Sequence, residues 1–366
     1  MVETILIGYH RDLSLCNACD KACHVELDIA PPGPKNTILR TDVEFVSQYG
    51  IPEGERALLA GLDGQRLLRL ENLNGGVEAL AVCGAMGLFE GLTTLRSVTL
   101  RGAPHHLQRT TVTLDLPWEA IEELTALFSC KDALPYVQRC SNLVKWHYSN
   151  ISRYGIQGVH LPDPPIVLPR LRILFVRFVH KSDAGVFQRI AMPALQECRL
   201  IFDSHSRTSA FEVGFAALLT RSECTLQRLS LENSPCSVMD ALYSDALRGL
   251  TSLSVHARDN APLTKAFIEA LGTPDSAGKP RLLPLLEDLE LGGEPEDFKA
   301  TALVKMGQAR RRMGYPLKRF VPDAVSMGMS DFDFGWTYEI KGQMCQVVDE
   351  VEVRGRNYIT DFPGEL

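Results

Sequence analysis

The chain is short of the features that mark most functional classes. It has no apolar run near the roughly 20 residues that a membrane-spanning helix needs. Its start, Met1 to Tyr9, carries Glu3 and lacks the basic and apolar regions of a secretion signal. A basic excess is missing too: 38 Lys and Arg stand against 45 Asp and Glu, a formal net charge of −7. That balance speaks against nucleic acid or an anionic membrane surface as a partner, since both call for a large cationic field. Complete catalytic motifs are also lacking, with no G-x-S-x-G elbow and no H-E-x-x-H helix. Gly272 to Lys279 suggests a phosphate-binding loop, but the glycines Gly272 and Gly278 are too far apart. Pro280 also stands where a magnesium-binding hydroxyl is required, so the segment reads as an ordinary loop. Asp333-Phe334-Gly335 has no accompanying glycine-rich loop or catalytic-loop triplet. His105-His106 follows Pro104 in a predicted loop and reads as a solvated pair. No catalytic residue and no cofactor are assigned, and a protein that is not an enzyme is expected.

Cysteine is present ten times but scattered. Cys16, Cys19, Cys23 and His24 have the residue types of a zinc site, yet no second ligand pair follows at finger spacing. The favoured reading is a loop entering a strand over 24–29, with Val25, Leu27 and Ile29 facing inward; metal binding by those four residues is the weaker alternative. Cys140 and Cys198 stand where a leucine would serve. Buried thiols of that kind act as small hydrophobes and suit a reducing compartment, so a cytoplasmic or nuclear location is expected.

What is abundant is a repeat. Apolar residues recur at the first, fourth, seventh and ninth places of a short segment, often with proline after the first. Clear copies are Leu92, Leu95, Val98, Leu100; Leu168, Leu171, Leu174, Val176; and Met192, Leu195, Cys198, Leu200. Leu226, Leu229, Leu231 follow, then Leu247, Leu250, Leu253, Val255 and Leu283, Leu286, Leu289, Leu291. A weaker copy is Cys140, Leu143, Trp146, Tyr148, and Leu317 with Phe320 closes the run. The last two places are two residues apart, which is strand periodicity, so both side chains face one way. The earlier steps of three fit a turn leading into the strand, and the intervals between copies suit a leucine-rich repeat.

The return segments read as helices: 211–222, 237–248, 263–271 ending at Gly272, and 296–313 ending at Gly314. Strand, helix and strand at this spacing predict parallel pairing with right-handed crossovers. The expected fold is therefore α/β, an irregular leucine-rich-repeat solenoid (horseshoe) with a concave parallel sheet and outer helices. Irregularity follows from the ladder position after each strand, which holds Ala103, Ile151, Val179, Asp203, Ser234, Arg258 and Glu294 rather than asparagine or cysteine. The solenoid is placed over 1–321, with degenerate repeats to about residue 90, and a capping segment over 322–366. In that segment Ile340, Met344, Val347 and Val348 form a helical face, and Val351 with Val353 a short strand. Arg310-Arg311-Arg312 reads as cations at a helix C-terminus, favoured by its dipole, rather than as a nuclear signal.

The wording of the repeats carries a resemblance. Leu168-Pro169-Arg170-Leu171, Met192-Pro193-Ala194-Leu195-Gln196-Glu197 and Leu283-Pro284-Leu285-Leu286-Glu287-Asp288-Leu289 resemble the F-box proteins expanded in mushroom-forming fungi. So do Leu116-Pro117-Trp118-Glu119, Arg139-Cys140-Ser141-Asn142-Leu143, and Arg310-Arg311-Arg312 followed by Leu317-Lys318-Arg319-Phe320. The resemblance implies the substrate-receptor arm of a cullin-type ubiquitin ligase. The N-terminal F-box of that family has no room before Cys16, so an adaptor is expected only if the full gene product carries one. Leu116 to Trp146 also looks like the opening of an F-box; the reading preferred is a repeat, with a strand over 111–116 and a helix over 132–139.

Strand residues alternating with the apolar pair point to the opposite, concave face, which is the natural docking surface of a solenoid. They are Lys145, His147 and Ser149; Ile173, Phe175 and Arg177; Glu197, Arg199 and Ile201. Arg228, Ser230 and Glu232 come next, then Ser252, Ser254 and His256, then Asp288, Glu290 and Gly292. Phe175, Arg177, Arg199 and Arg228 form the expected core of a protein-binding stripe, because aromatic and arginine side chains combine large area with directional hydrogen bonds. Lys145, His147, His256, Asp288 and Glu290 flank it. The expected function is a noncatalytic protein-recognition scaffold, the substrate receptor of an F-box type ligase; the alternative is a leucine-rich-repeat binding or assembly protein with no ubiquitin connection.

Overall fold

A computed structural model describes residues 5–7, 25–27, 38–40, 72–77, 89, 92–101, 114–128, 130–149, 165–178, 187–202, 209–233, 242–256, 263–292, 299–322 and 338–352. The chain divides into two compact units, Met1–Ile173 with Arg189–Ala191, and Leu174–Gln188 with Met192–Leu366.

In the first unit β1 (Ile5–Ile7) pairs antiparallel with β2 (Val25–Leu27). β3 (Ile38–Arg40), β4 (Asn72–Gly76), β5 (Ser97–Arg101), β6 (Glu123–Leu127) and β7 (Lys145–Ser149) then pair in chain order, all parallel. Helix α1 (Cys130–Arg139) connects β6 to β7. β8 (Ile166–Val167) pairs in parallel with β10 (Ile190–Ala191).

The second unit takes β9 (Ile173–Phe178) from Leu174 onward, followed by β11 (Glu197–Phe202), α2 (Ser209–Ser222), β12 (Arg228–Glu232) and β13 (Ser252–His256). It continues with α3 (Lys265–Gly272), β14 (Asp288–Gly292), α4 (Ala300–Arg312), β15 (Arg319–Pro322), α5 (Tyr338–Cys345) and β16 (Glu350–Val351). Its strands from β11 to β16 again pair in order and in parallel. The α/β class and the parallel strands expected from the repeat are present in both units.

One local geometry explains the repeat. The step of three between the first two apolar places closes a turn: Leu195 N donates to Met192 O, Leu250 N to Leu247 O and Leu286 N to Leu283 O, at 3.0–3.1 Å. Two successive amides at the strand entrance then share one carbonyl of the preceding copy. Gln227 and Arg228 N donate to Gln196 O, Thr251 and Ser252 N to Gln227 O, and Glu287 and Asp288 N to Thr251 O. Each strand is thereby locked in register with the one before it, and its apolar pair falls on one side. Leu229 with Leu231, Leu253 with Val255 and Leu289 with Leu291 are all buried. Cys140 and Cys198 are buried at leucine places as expected.

Several elements differ from the expectation. Residues 114–117 form no strand; the strand is β6, and its copy of the repeat is Trp118, Ile121, Leu124 and Ala126, all buried. This copy escapes the leucine pattern because tryptophan and alanine fill its ends. Trp118 is fixed by its indole N–H, which donates to Leu114 O at 3.1 Å, and by the Arg139 guanidinium 5.3 Å over its ring. The span from Leu116 to Trp146 is thus strand, helix, strand, the arrangement of the repeat. Within 237–248 the described part is a turn with a short 3-10 helix at Asp245–Leu247 rather than an α-helix. Ser244 caps it by accepting from Ala246 N. Residues 237–241 lie outside the described residues, as do all seven ladder positions, His105-His106 and Asp333-Phe334-Gly335.

The two glycines expected to end helices behave differently. Gly314 has φ +82, and Tyr315 N reaches back to Arg310 O, which is a helix-ending turn that favours glycine. Gly272 closes α3 without a left-handed φ. Its role is close packing: a Cβ there would lie 3.1 Å from Met306 Cα on α4. Arg310 departs most from expectation. It is wholly buried rather than a solvated cation. It donates to Leu271 O at the end of α3 and to Leu283, Pro284 and Leu286 O in the turn before β14. Burial pushes its guanidinium down to about 10. Arg311 donates to Gln346 O at 2.8 Å, tying α4 to the turn after α5. Ile340, Met344, Val347 and Val348 are buried, the first two on α5 and the others in that turn. Glu350–Val351 is the strand, paired to β15; Val353 lies outside the described residues.

Candidate functional site: the polar strand face

Side chains that alternate with the buried pairs line a second face of each group of strands, and these are half-exposed to exposed where the pairs are buried. In the second unit the registers Glu197↔Arg228↔Ser252↔Asp288↔Arg319↔Glu350 and Arg199↔Ser230↔Ser254↔Glu290↔Val321 define two rows on it. A third row begins with Ile201↔Glu232↔His256↔Gly292. Of these, Ile201, Gly292 and Val321 are buried.

The structure brings Phe175, Arg199 and Arg228 into one charge-balanced lattice. Arg199 lies 5.3 Å over the Phe175 ring and donates from Nε to Glu232 Oε1 at 3.0 Å. Glu232 is diagonal to it on β12, because Arg199 faces the short Ser230 and can lean across. Arg228 Nη1 stands 3.3 Å from Glu197 Oε2, its direct partner across the strands. These arginines therefore do not project as bare cations. Glu197 and Glu232 were visible in the sequence as members of the face, but nothing in it showed that they neutralise the arginines. Arg177 occupies the third of the alternate places on β9, after Ile173 and Phe175, and is half-buried.

Toward the C-terminus the balance changes. His256 Nε2 is 3.2 Å from Glu290 Oε1, again a diagonal made available by Gly292 and Ser254 opposite. Arg319 pairs with Glu352, and Lys318, just before the strand, stands 2.7 Å from Glu287. Those pairs hold both cations charged: the hydrogen bond to Glu287 raises Lys318 above the usual lysine range, and that to Glu352 raises Arg319. Arg319, Glu350 and Glu352 extend the face past the residues the leucine pattern marked. Phe320 alone gave the signal for β15, because Val321 and Pro322 beside it break the alternation. Asp288 is half-exposed and Glu350 exposed.

The first unit has its own polar face. Lys145 and His147 take alternate places on β7, beside Glu123 and Thr125 of β6. Lys145 Nζ approaches Glu123 Oε2 at 4.0 Å, and His147 is half-buried. Ser149, at the last place, is buried.

Other candidate chemistry is limited. Cys16, Cys19, Cys23 and His24 lie outside the described residues. Among the described residues no group of three or more His, Cys, Asp or Glu is placed to hold a metal ion. The loop after α3 turns on its own side chain: Asp275 Oδ1 accepts from Ala277 and Lys279 N, which lowers its carboxyl below the usual range and occupies amides a phosphate would need. Cys140 is pushed up to about 12 by burial, and Cys198 is raised for the same reason. Both thiols stay protonated and act as packing groups. No described helix is long and apolar enough to cross a membrane.

No family model matches the chain, and no curated protein is similar to it. A crystal structure of a Bacteroides fragilis protein resembles it with 12% identity and a TM-score of 0.39, over 82% of this chain and 71% of that one. A likeness at that level carries no argument.

Proposed function

We propose that this chain is a noncatalytic protein-recognition scaffold of the leucine-rich-repeat kind, which docks a protein partner on the polar strand face. The observation that carries the reading is the separation of roles along each strand. One set of alternate residues is sealed into the core, while the other presents aromatic, arginine and carboxylate side chains on a rigid, hydrogen-bonded support. Such a surface positions recognition groups without needing them for the fold. The resemblance of the repeats to fungal F-box proteins supports a more specific form, the substrate receptor of a cullin-type ubiquitin ligase. A scaffold with no ubiquitin connection is the alternative that the same surface serves.

The test is quantitative affinity capture with mass spectrometry, using the wild type and a variant carrying Phe175→Ala, Arg177→Ala, Arg199→Ala and Arg228→Ala. Cullin-ligase subunits enriched with the wild type support the ligase form. Loss of a specific partner in the variant, at unchanged thermal stability, supports docking on this face. Exposed ion pairs contribute about 0–1 kcal/mol each, so the fold should tolerate the change. An identical set of captured proteins at identical levels removes the reading.

A further inference from the structure

We draw no further inference here: the strongest candidate, the exposed Leu285 in the turn before β14 that Arg310 holds through the carbonyls of Leu283, Pro284 and Leu286, is a single apolar side chain, and nothing in the structure shows what covers it.

Discussion

Arg310 sets the stability of the C-terminal repeats, and Arg310→Met is the perturbation that shows it. The guanidinium is wholly buried and meets no carboxylate among the described residues; its acceptors are Leu271 O at 3.1 Å, Leu286 O at 3.0 Å, Leu283 O at 3.2 Å and, more weakly, Pro284 O at 3.4 Å. A guanidinium held near 10 against its ordinary 12.5 corresponds to a burial cost of about 3.5 kcal/mol. Three good charge-assisted hydrogen bonds contribute about 1.5–3 kcal/mol each, or roughly 5–9 kcal/mol together. The hydrogen bonds win by about 2–5 kcal/mol. Methionine keeps most of the volume but strands the carbonyls, including that of Leu283, whose φ of +48 already strains the turn. Urea denaturation of Arg310→Met should therefore show a loss of about 2–5 kcal/mol. Arg310→Lys should fall between the two, since a point-like ammonium cannot reach carbonyls on both segments in a planar fork. If Arg310→Met were as stable as the wild type, the account of this residue as a clamp between α3 and the turn before β14 would be wrong.

Two further perturbations follow from the packing. At Gly307 on α4 a Cβ would lie 2.9 Å from Val347 Cγ2, so Gly307→Ala should destabilise the chain by about 1–3 kcal/mol, and Val347→Ala should recover part of that loss in a double-mutant cycle by thermal denaturation. The Cys140 thiol, raised from 9.0 to about 12 by burial, holds its proton in the folded chain where the unfolded chain releases it. Its contribution is complete below pH 9 and is lost as pH rises from 9 to about 12, amounting to about 4 kcal/mol at the upper end. Cys140→Ala should flatten that part of a stability-against-pH curve, although it lowers the stability at neutral pH; an unchanged slope would refute the assignment.

The leucine spacing was enough to place β5, β7, β9 and β11 to β14, because a two-residue apolar period and a preceding step of three leave few other ways to bury those side chains; the short pair β8 and β10 carries no copy of it. It was also enough to name the residues of the polar face, since alternation follows from the pleat. The pattern missed β6, where Trp118 and Ala126 take the outer places of the copy, and it moved the strand to 111–116. It predicted an α-helix over 237–248, of which the described part, 242–248, is a turn with a 3-10 helix at Asp245–Leu247. The β6 miss has a plain cause: size and side-chain type can vary at a place, as at Trp118 and Ala126, as long as the neighbouring copy fills the space.

Sequence alone determined which residues lie on which side of the strands the leucine pattern marked, because backbone geometry fixes that locally. Tertiary structure alone decided what those residues do there. Whether Arg199 and Arg228 are open cations depends on carboxylates that lie more than 30 positions away in the chain and meet them only across a hydrogen-bonded register. Arg310, one of three adjacent arginines, differs from its neighbours only because the packing of α3 against α4 closes over it.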